Sequence, residues 1–189
     1  PLLFTEIDLH AGDKIPDLSS FDGLWSMGGS MNVWEEMEFP WLKDEKLAIR
    51  QAILDLNLPF LGICLGHQLL AEAFGGKVEK TVNHEVGLFE IRPTLAGKRH
   101  PLLKRLSRPQ SWLNVHSAEI TKLPAKAIIL AESDRCSNHI MQISSTAYSC
   151  QFHPELCDHT VAEWLAIPGI PEHISQFSNH DGLEGFRTS

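Results

Sequence analysis

Apolar and polar positions along this 189-residue chain switch repeatedly between a period near two and a period near 3.6. Residues 2–9 read as a strand that runs out into Ala11-Gly12-Asp13. Residues 23–27 read as a short buried strand entering Gly28-Gly29. Residues 43–56 carry Ile49, Ala52, Ile53 and Leu56 on one face of a predicted amphipathic helix. An apolar strand over 58–63 is followed by a helical stretch from Gln68 to Phe74, which stops at Gly75-Gly76. Strands are predicted over 86–91, 127–131, 140–143 and 147–152, the last two forming a hairpin around Ser144-Ser145-Thr146. This alternation predicts an α/β fold, and no internal repeat, linker or low-complexity segment interrupts it.

Composition narrows the classes. Hydrophobic residues make up 43% of the chain, enough for one domain with its own core. A net charge of −8 argues against a nucleic-acid backbone as the main partner. No apolar stretch approaches the roughly 20 residues a membrane span needs, so no membrane association is expected. Four cysteines fit a reducing, cytoplasmic setting better than a disulfide framework.

Three segments carry candidate chemistry. Gly62-Ile63-Cys64-Leu65-Gly66-His67-Gln68 places a cysteine between small residues at a strand-to-helix junction. That pattern describes a nucleophile elbow, with the sulfur at a helix N-terminus that favours its thiolate. Gln151-Phe152-His153-Pro154-Glu155 puts an imidazole and a carboxylate two residues apart, on one side of extended chain. Pro154 suits a strand end, where active sites of α/β folds lie. Nucleophile, base and orienting acid are the parts that covalent catalysis requires. The third segment is Trp25-Ser26-Met27-Gly28-Gly29-Ser30-Met31.

Together these segments resemble the class I (triad) glutamine amidotransferase family, over residues 4 to 164. The run from Phe21-Asp22-Gly23 to Trp41-Leu42 is most similar to stand-alone, GMP-synthase-like amidotransferase domains. The resemblance implies a flavodoxin-like open sheet, mostly parallel, with helices on both faces and a C-terminal antiparallel hairpin. It implies Cys64 as nucleophile, His153 as general base then acid, and Glu155 as its orienting partner. It places the oxyanion on the backbone N–H groups of Gly29 and Leu65. Gly28, Met31, Gln68, Ser117 and Ala118 are implied to bind substrate. Ser30 stands where relatives usually carry Pro, and Ser117 where they usually carry Gly, so loop rigidity is expected to differ. The resemblance also implies a strand and helix before Pro1 and a closing helix beyond the polar tail 177–189. One domain over 1–189, lacking its first strand and last helix, is therefore expected.

The implied reaction hydrolyses the side-chain amide of L-glutamine through a Cys64 thioester, giving glutamate and ammonia. Backbone oxyanion donors contribute roughly 3–4 kcal/mol each in comparable sites. The reaction needs no cofactor and no metal. Ammonia would pass to an acceptor or a separate synthetase as partner. The same triad would also cleave γ-glutamyl peptides or conjugates, and a non-enzymatic regulatory protein on this fold is the third reading. No acceptor-binding or ATP-binding motif separates them.

Other features are discounted. Cys150, His153, Cys157 and His159 match no standard zinc spacing. His67 is expected to point away from Cys64 in a structural role, while His116 lies near the substrate loop or simply packs. Gly28-Gly29-Ser30 lacks the lysine and helix of a phosphate loop. Trp25, Trp34, Trp41, Trp112 and Trp164 are expected to pack in the core or at its rim.

Overall fold

A computed structural model describes residues 2–106 and 108–155. Its strands are β1 (Leu24–Ser26), β2 (Phe60–Ile63), β3 (Lys77–Pro93), β4 (Gln110–Lys122), β5 (Ile128–Glu132), β6 (Ile140–Gln142) and β7 (Ala147–Cys150). Its α-helices are α1 (Trp41–Arg50), α2 (Leu65–Ala73) and α3 (Leu95–Arg99). The strands form one sheet in the order β1-β2-β7-β6-β5-β3-β4.

This sheet is mixed, which corrects the expectation of a mostly parallel one. β1 and β7 flank β2 in parallel, whereas β7-β6, β6-β5, β5-β3 and β3-β4 are antiparallel. Connection length accounts for part of the switch: β1 reaches β2 through α1, but β5, β6 and β7 follow one another through segments too short for a crossover. The C-terminal hairpin stands as expected, with Ile143 N–H donating to Ala147 O at 3.0 Å.

The expected strand at residues 2–9 does not form. Asp8 N–H and Ala11 N–H donate to the carboxylates of Asp13 and Asp8, both at 2.9 Å, which commits this stretch to a turn. Leu2, Leu3 and Phe4 are exposed. The predicted helix over 43–56 is formed, but its last turn, Gln51–Asp55, widens to π geometry with Leu56 N–H on Gln51 O at 3.0 Å. α2 ends as its glycines demand. Gly75 has φ +83°, and Gly76 N–H returns to Ala71 O at 2.8 Å, a closure that a left-handed glycine permits.

β4 and most of β3 carry no clear sequence signal, because the inward positions of β4 are partly polar. Asn114 and His116 are buried in line with Ala118 and Ile120, so the period of two is present in burial but hidden in hydrophobicity.

The sheet separates two apolar clusters. Leu42, Ile49, Phe60, Leu65, Leu69, Leu70, Ile120, Met141 and Ala147 share one of them. Ile63, Ile91, Leu103, Leu130, Ile140 and Phe152 belong to the other. Neighbouring residues Ile140 and Met141 fall in different clusters, so these occupy opposite faces. α1 and α2 contribute to the first. Among the described residues the second face carries only the short α3 and the adjoining Pro101–Leu106 turn, so helices covering both faces are not established. No described helix is long and apolar enough to cross a membrane.

Candidate active site

β2 delivers the chain to Cys64, and α2 begins at the next residue. Cys64 adopts φ +51° and ψ −99°, a conformation that costs a non-glycine residue about 1–3 kcal/mol. The surroundings enforce it. Cys64 N–H donates to Cys150 O at 2.9 Å, and Gly66 N–H donates to Met27 O at 3.2 Å. His67 and Gln68 N–H groups both return to Cys64 O, at 3.1 and 3.2 Å. Such a tight elbow needs bare backbone on either side. A Cβ on Gly62 would stand 2.6 Å from Gly66 O, and one on Gly66 would stand 2.2 Å from Ser26 O.

β7 lies beside β2 with Cys150 opposite Ile63, so the residues after β7 emerge next to the elbow. His153 N–H is anchored on Leu113 O of β4 at 2.9 Å. His153 Nδ1 lies 2.8 Å from Glu155 Oε1, and the imidazole also hydrogen-bonds the Cys64 side chain. Cys64 and His153 are buried, whereas the Glu155 side chain keeps 25% of its surface in solvent. Burial alone would lower the His153 pKa. The charge and hydrogen bond of Cys64, then those of Glu155, outweigh it and hold the group up to about 10. The geometry therefore favours an imidazolium beside the Cys64 sulfur.

The other candidate residues fall around this pair. Gly28 backs directly onto it, since a Cβ there would lie 3.1 Å from His153 Cε1 and 3.5 Å from Cys64 Cβ. Gly29 faces Leu65 and Met31, where a Cβ would come within 2.8 Å of Leu65 Cδ2 and 3.2 Å of Met31 Sδ. The loop after β1 thus meets the first residue of α2, whose N–H has no partner within its own helix. Ser117 and Ala118 belong to β4. Gln68 is buried, and its amide N–H groups donate to Ala118 O at 3.3 Å and Gln151 Oε1 at 3.1 Å.

Gln151 was not among the expected residues, although its Nε2 lies 3.6 Å from Cys64 Sγ. Its position two residues before His153 in the same motif is the signal that could have found it. His67 turns away from the sulfur, as expected, and holds Ser149 Oγ at 2.8 Å. Burial, followed by the nearby His139 and His116, lowers the His67 pKa to about 3.

His116 joins a second group with no motif in the sequence. Its Nε2 lies 2.9 Å from Glu85 Oε2, and its Nδ1 lies 3.2 Å from Ala118 O. His139 Nε2 is 2.8 Å from the same Glu85 oxygen, and Ser133 Oγ–H donates to the other one. Cys157 and His159, two of the four discounted zinc candidates, lie outside the described residues, as does Trp164. Of the other tryptophans, Trp112 stacks on Phe152 at 4.9 Å, while Trp25 is more than half exposed.

A model of the glutamine amidotransferase class-I family matches residues 8–163. Over 172 residues the chain is 33% identical to the glutamine amidotransferase-like protein YfeJ of Salmonella typhimurium, spanning 89% of this chain and 69% of that protein. It is 40% identical over 107 residues to a glutamine-hydrolyzing GMP synthase subunit of Pyrococcus furiosus. That match takes in 56% of this chain and 55% of the relative, so the chain spans about half the length of such subunits. The fold also matches the crystal structure of a glutamine amidotransferase from Thermotoga maritima with a TM-score of 0.81 and 25% identity, over 96% of this chain and 77% of that one.

Proposed function

The chain belongs to the glutamine amidotransferase class-I family, and from that premise we propose that Cys64, His153 and Glu155 hydrolyse the side-chain amide of L-glutamine. The observation that carries this reading is the junction itself. A strained Cys64 at the head of α2 meets a His153 held by Glu155, with the Gly28-Gly29 turn packed against both.

The steps follow from these positions. The Cys64 thiolate attacks the side-chain amide carbon of glutamine, and the amide oxygen becomes negative. The N–H groups of Gly29 and Leu65 receive that charge, the second from the positive end of a helix. The His153 imidazolium gives its proton to departing ammonia, leaving a γ-glutamyl thioester on Cys64. His153, now neutral, takes a proton from water as it attacks the thioester, and glutamate leaves. Glu155 keeps the imidazole in the required tautomer, while Gln151 and Gln68 hold the sulfur and the Ala118 segment in register. Gly28, Met31, Ser117 and Ala118 line the space for the substrate's amino and carboxylate groups.

Relatives named as one subunit of GMP synthase support a second chain as the taker of ammonia. The described cysteines Cys64, Cys136 and Cys150 are all free thiols, which suits a reducing cytoplasm. Steady-state kinetics of the full chain on free glutamine and on γ-glutamyl peptides tests the reading. Faster release of ammonia from glutamine supports it. Preference for peptides transfers the same triad to γ-glutamyl hydrolysis, and no turnover of either class overturns both.

A further inference from the structure

Behind the substrate segment, the loop between β5 and β6 brings Cys136 and His139 against His116 of β4. One ligand atom from each of these three buried residues lies within 4.8 Å of the other two. Tetrahedral ligands 2.0–2.3 Å from an ion stand about 3.3–3.8 Å from one another, so modest closure would bring all three onto a single ion. We propose that His116, Cys136 and His139 form a divalent-metal site of the zinc type, with Glu85 as its nearest carboxylate.

Three observations support a built site rather than chance proximity. First, Cys136 and His139 are three residues apart on a loop that is already folded to present them. Ser133 N–H donates to Cys136 O at 2.8 Å, Cys136 N–H donates to Ser133 Oγ at 2.9 Å, and Arg135 N–H joins the same hydroxyl at 3.1 Å. Second, outer partners of the kind that orient ligands are present. The Asn138 backbone hydrogen-bonds Cys136, and Ala118 O stands 3.2 Å from His116 Nδ1, an acceptor that takes the Nδ1 proton and leaves the Nε2 lone pair, now facing Glu85, to the ion. Third, both ring nitrogens of His139 are buried without a well-formed hydrogen bond among the described residues, although Nε2 stands 2.8 Å from Glu85 Oε2. A neutral imidazole carries a lone pair on one of these nitrogens, open to an ion.

Glu85 is fully buried, and its carboxylate lies against both imidazoles, where a divalent cation held by the three ligands would meet it. On binding, the Cys136 S–H bond breaks, a sulfur–metal bond forms, and the proton leaves to solvent. This site is separate from Cys64, and its occupancy can be read without measuring glutamine hydrolysis.

The test uses the full chain, stripped with a chelator and then loaded with Zn²⁺ or Co²⁺. One equivalent of Zn²⁺ retained through dialysis, together with a thiolate-to-Co²⁺ charge-transfer band, is expected. Cys136→Ser should remove the band, and Cys64→Ala should leave it unchanged. His139→Gln keeps a group that can bond Glu85 but removes one of the three metal ligands, so it should fold and lose the Zn²⁺ during dialysis. No retained metal overturns the proposal. So does a band that survives Cys136→Ser, or one that is lost with Cys64.

Discussion

His153 and His116 each stand beside a glutamate, at 2.8 and 2.9 Å, yet the two pairs differ in what surrounds them. Glu155 keeps a quarter of its side chain in water, and its histidine meets a sulfur on a strained elbow. Glu85 is sealed from solvent and is shared by two imidazoles and a hydroxyl. The first arrangement is the one proposed above for chemistry on a substrate. The second ties β4 to β3 and the β5–β6 loop. The same residue pair thus stands once beside a strained cysteine and once inside a sealed cluster.

The largest expected effects break the first pair. Cys64→Ala should reduce ammonia release from glutamine to background while leaving the thermal midpoint within a few degrees. His153→Ala should cost nearly as much, because nucleophile and base act as a unit, and Glu155→Gln should leave more residual rate. Brief iodoacetamide labelling read by mass spectrometry checks the nucleophile independently. Burial pushes the thiols of Cys136 and Cys150 up, so both should lag Cys64. Labelling that lands first on either, or on Cys157, would remove Cys64 from the role.

The next effect breaks the second pair. Removing one member of a buried ionic group leaves the others unpaired, at a cost of about 3–5 kcal/mol. Glu85→Ala should lower the urea midpoint accordingly, and Glu85→Gln by less, since an amide can still bond an imidazole. The rate of Cys64 labelling in the folded fraction should change little. A collapse of Cys64 reactivity with no loss of stability would erase the distinction between the two regions.

The two regions also differ in how much of them the sequence revealed. The elbow was legible because backbone geometry leaves few alternatives. Gly62 and Gly66 must be bare where their chains approach, and cysteine between them has one conspicuous use. His153 and Glu155 were legible from their spacing alone. The Glu85 group was not, because its members come from β3, β4 and the β5–β6 loop and no local period links them. Buried polar side chains also masked β4 itself, since His116 of this group and the nearby Asn114 occupy positions where an apolar residue would have marked a strand. The apolar run at residues 2–9 misled in the opposite sense. It has strand composition, but Asp8 and Asp13 capture the amides that a ladder would need.

The smallest effect concerns pH and joins the two regions through His67, which sits on α2 behind Cys64 and feels both His139 and His116. Its pKa is about 3 in the fold against 6.5 for a free imidazole. Between those values the unfolded chain binds a proton that the folded chain refuses, so stability rises with pH there and falls as pH drops below 6.5. Each pH unit within that window is worth about 1.4 kcal/mol, which amounts to about 2 kcal/mol between pH 7 and pH 5. His153 has the opposite sign. Its raised pKa contributes stability that is complete below pH 6.5 and is lost as pH climbs through about 10. Urea unfolding across pH 5–10 should therefore show an acid limb and an alkaline limb with separate origins. His67→Gln, which can still bond Ser149, should flatten the acid limb alone, and Cys64→Ala should flatten the alkaline limb alone. If His67→Gln leaves the acid limb unchanged, His67 is not excluded from its proton in the fold, and the drop belongs to another buried group, with His139 the first to examine.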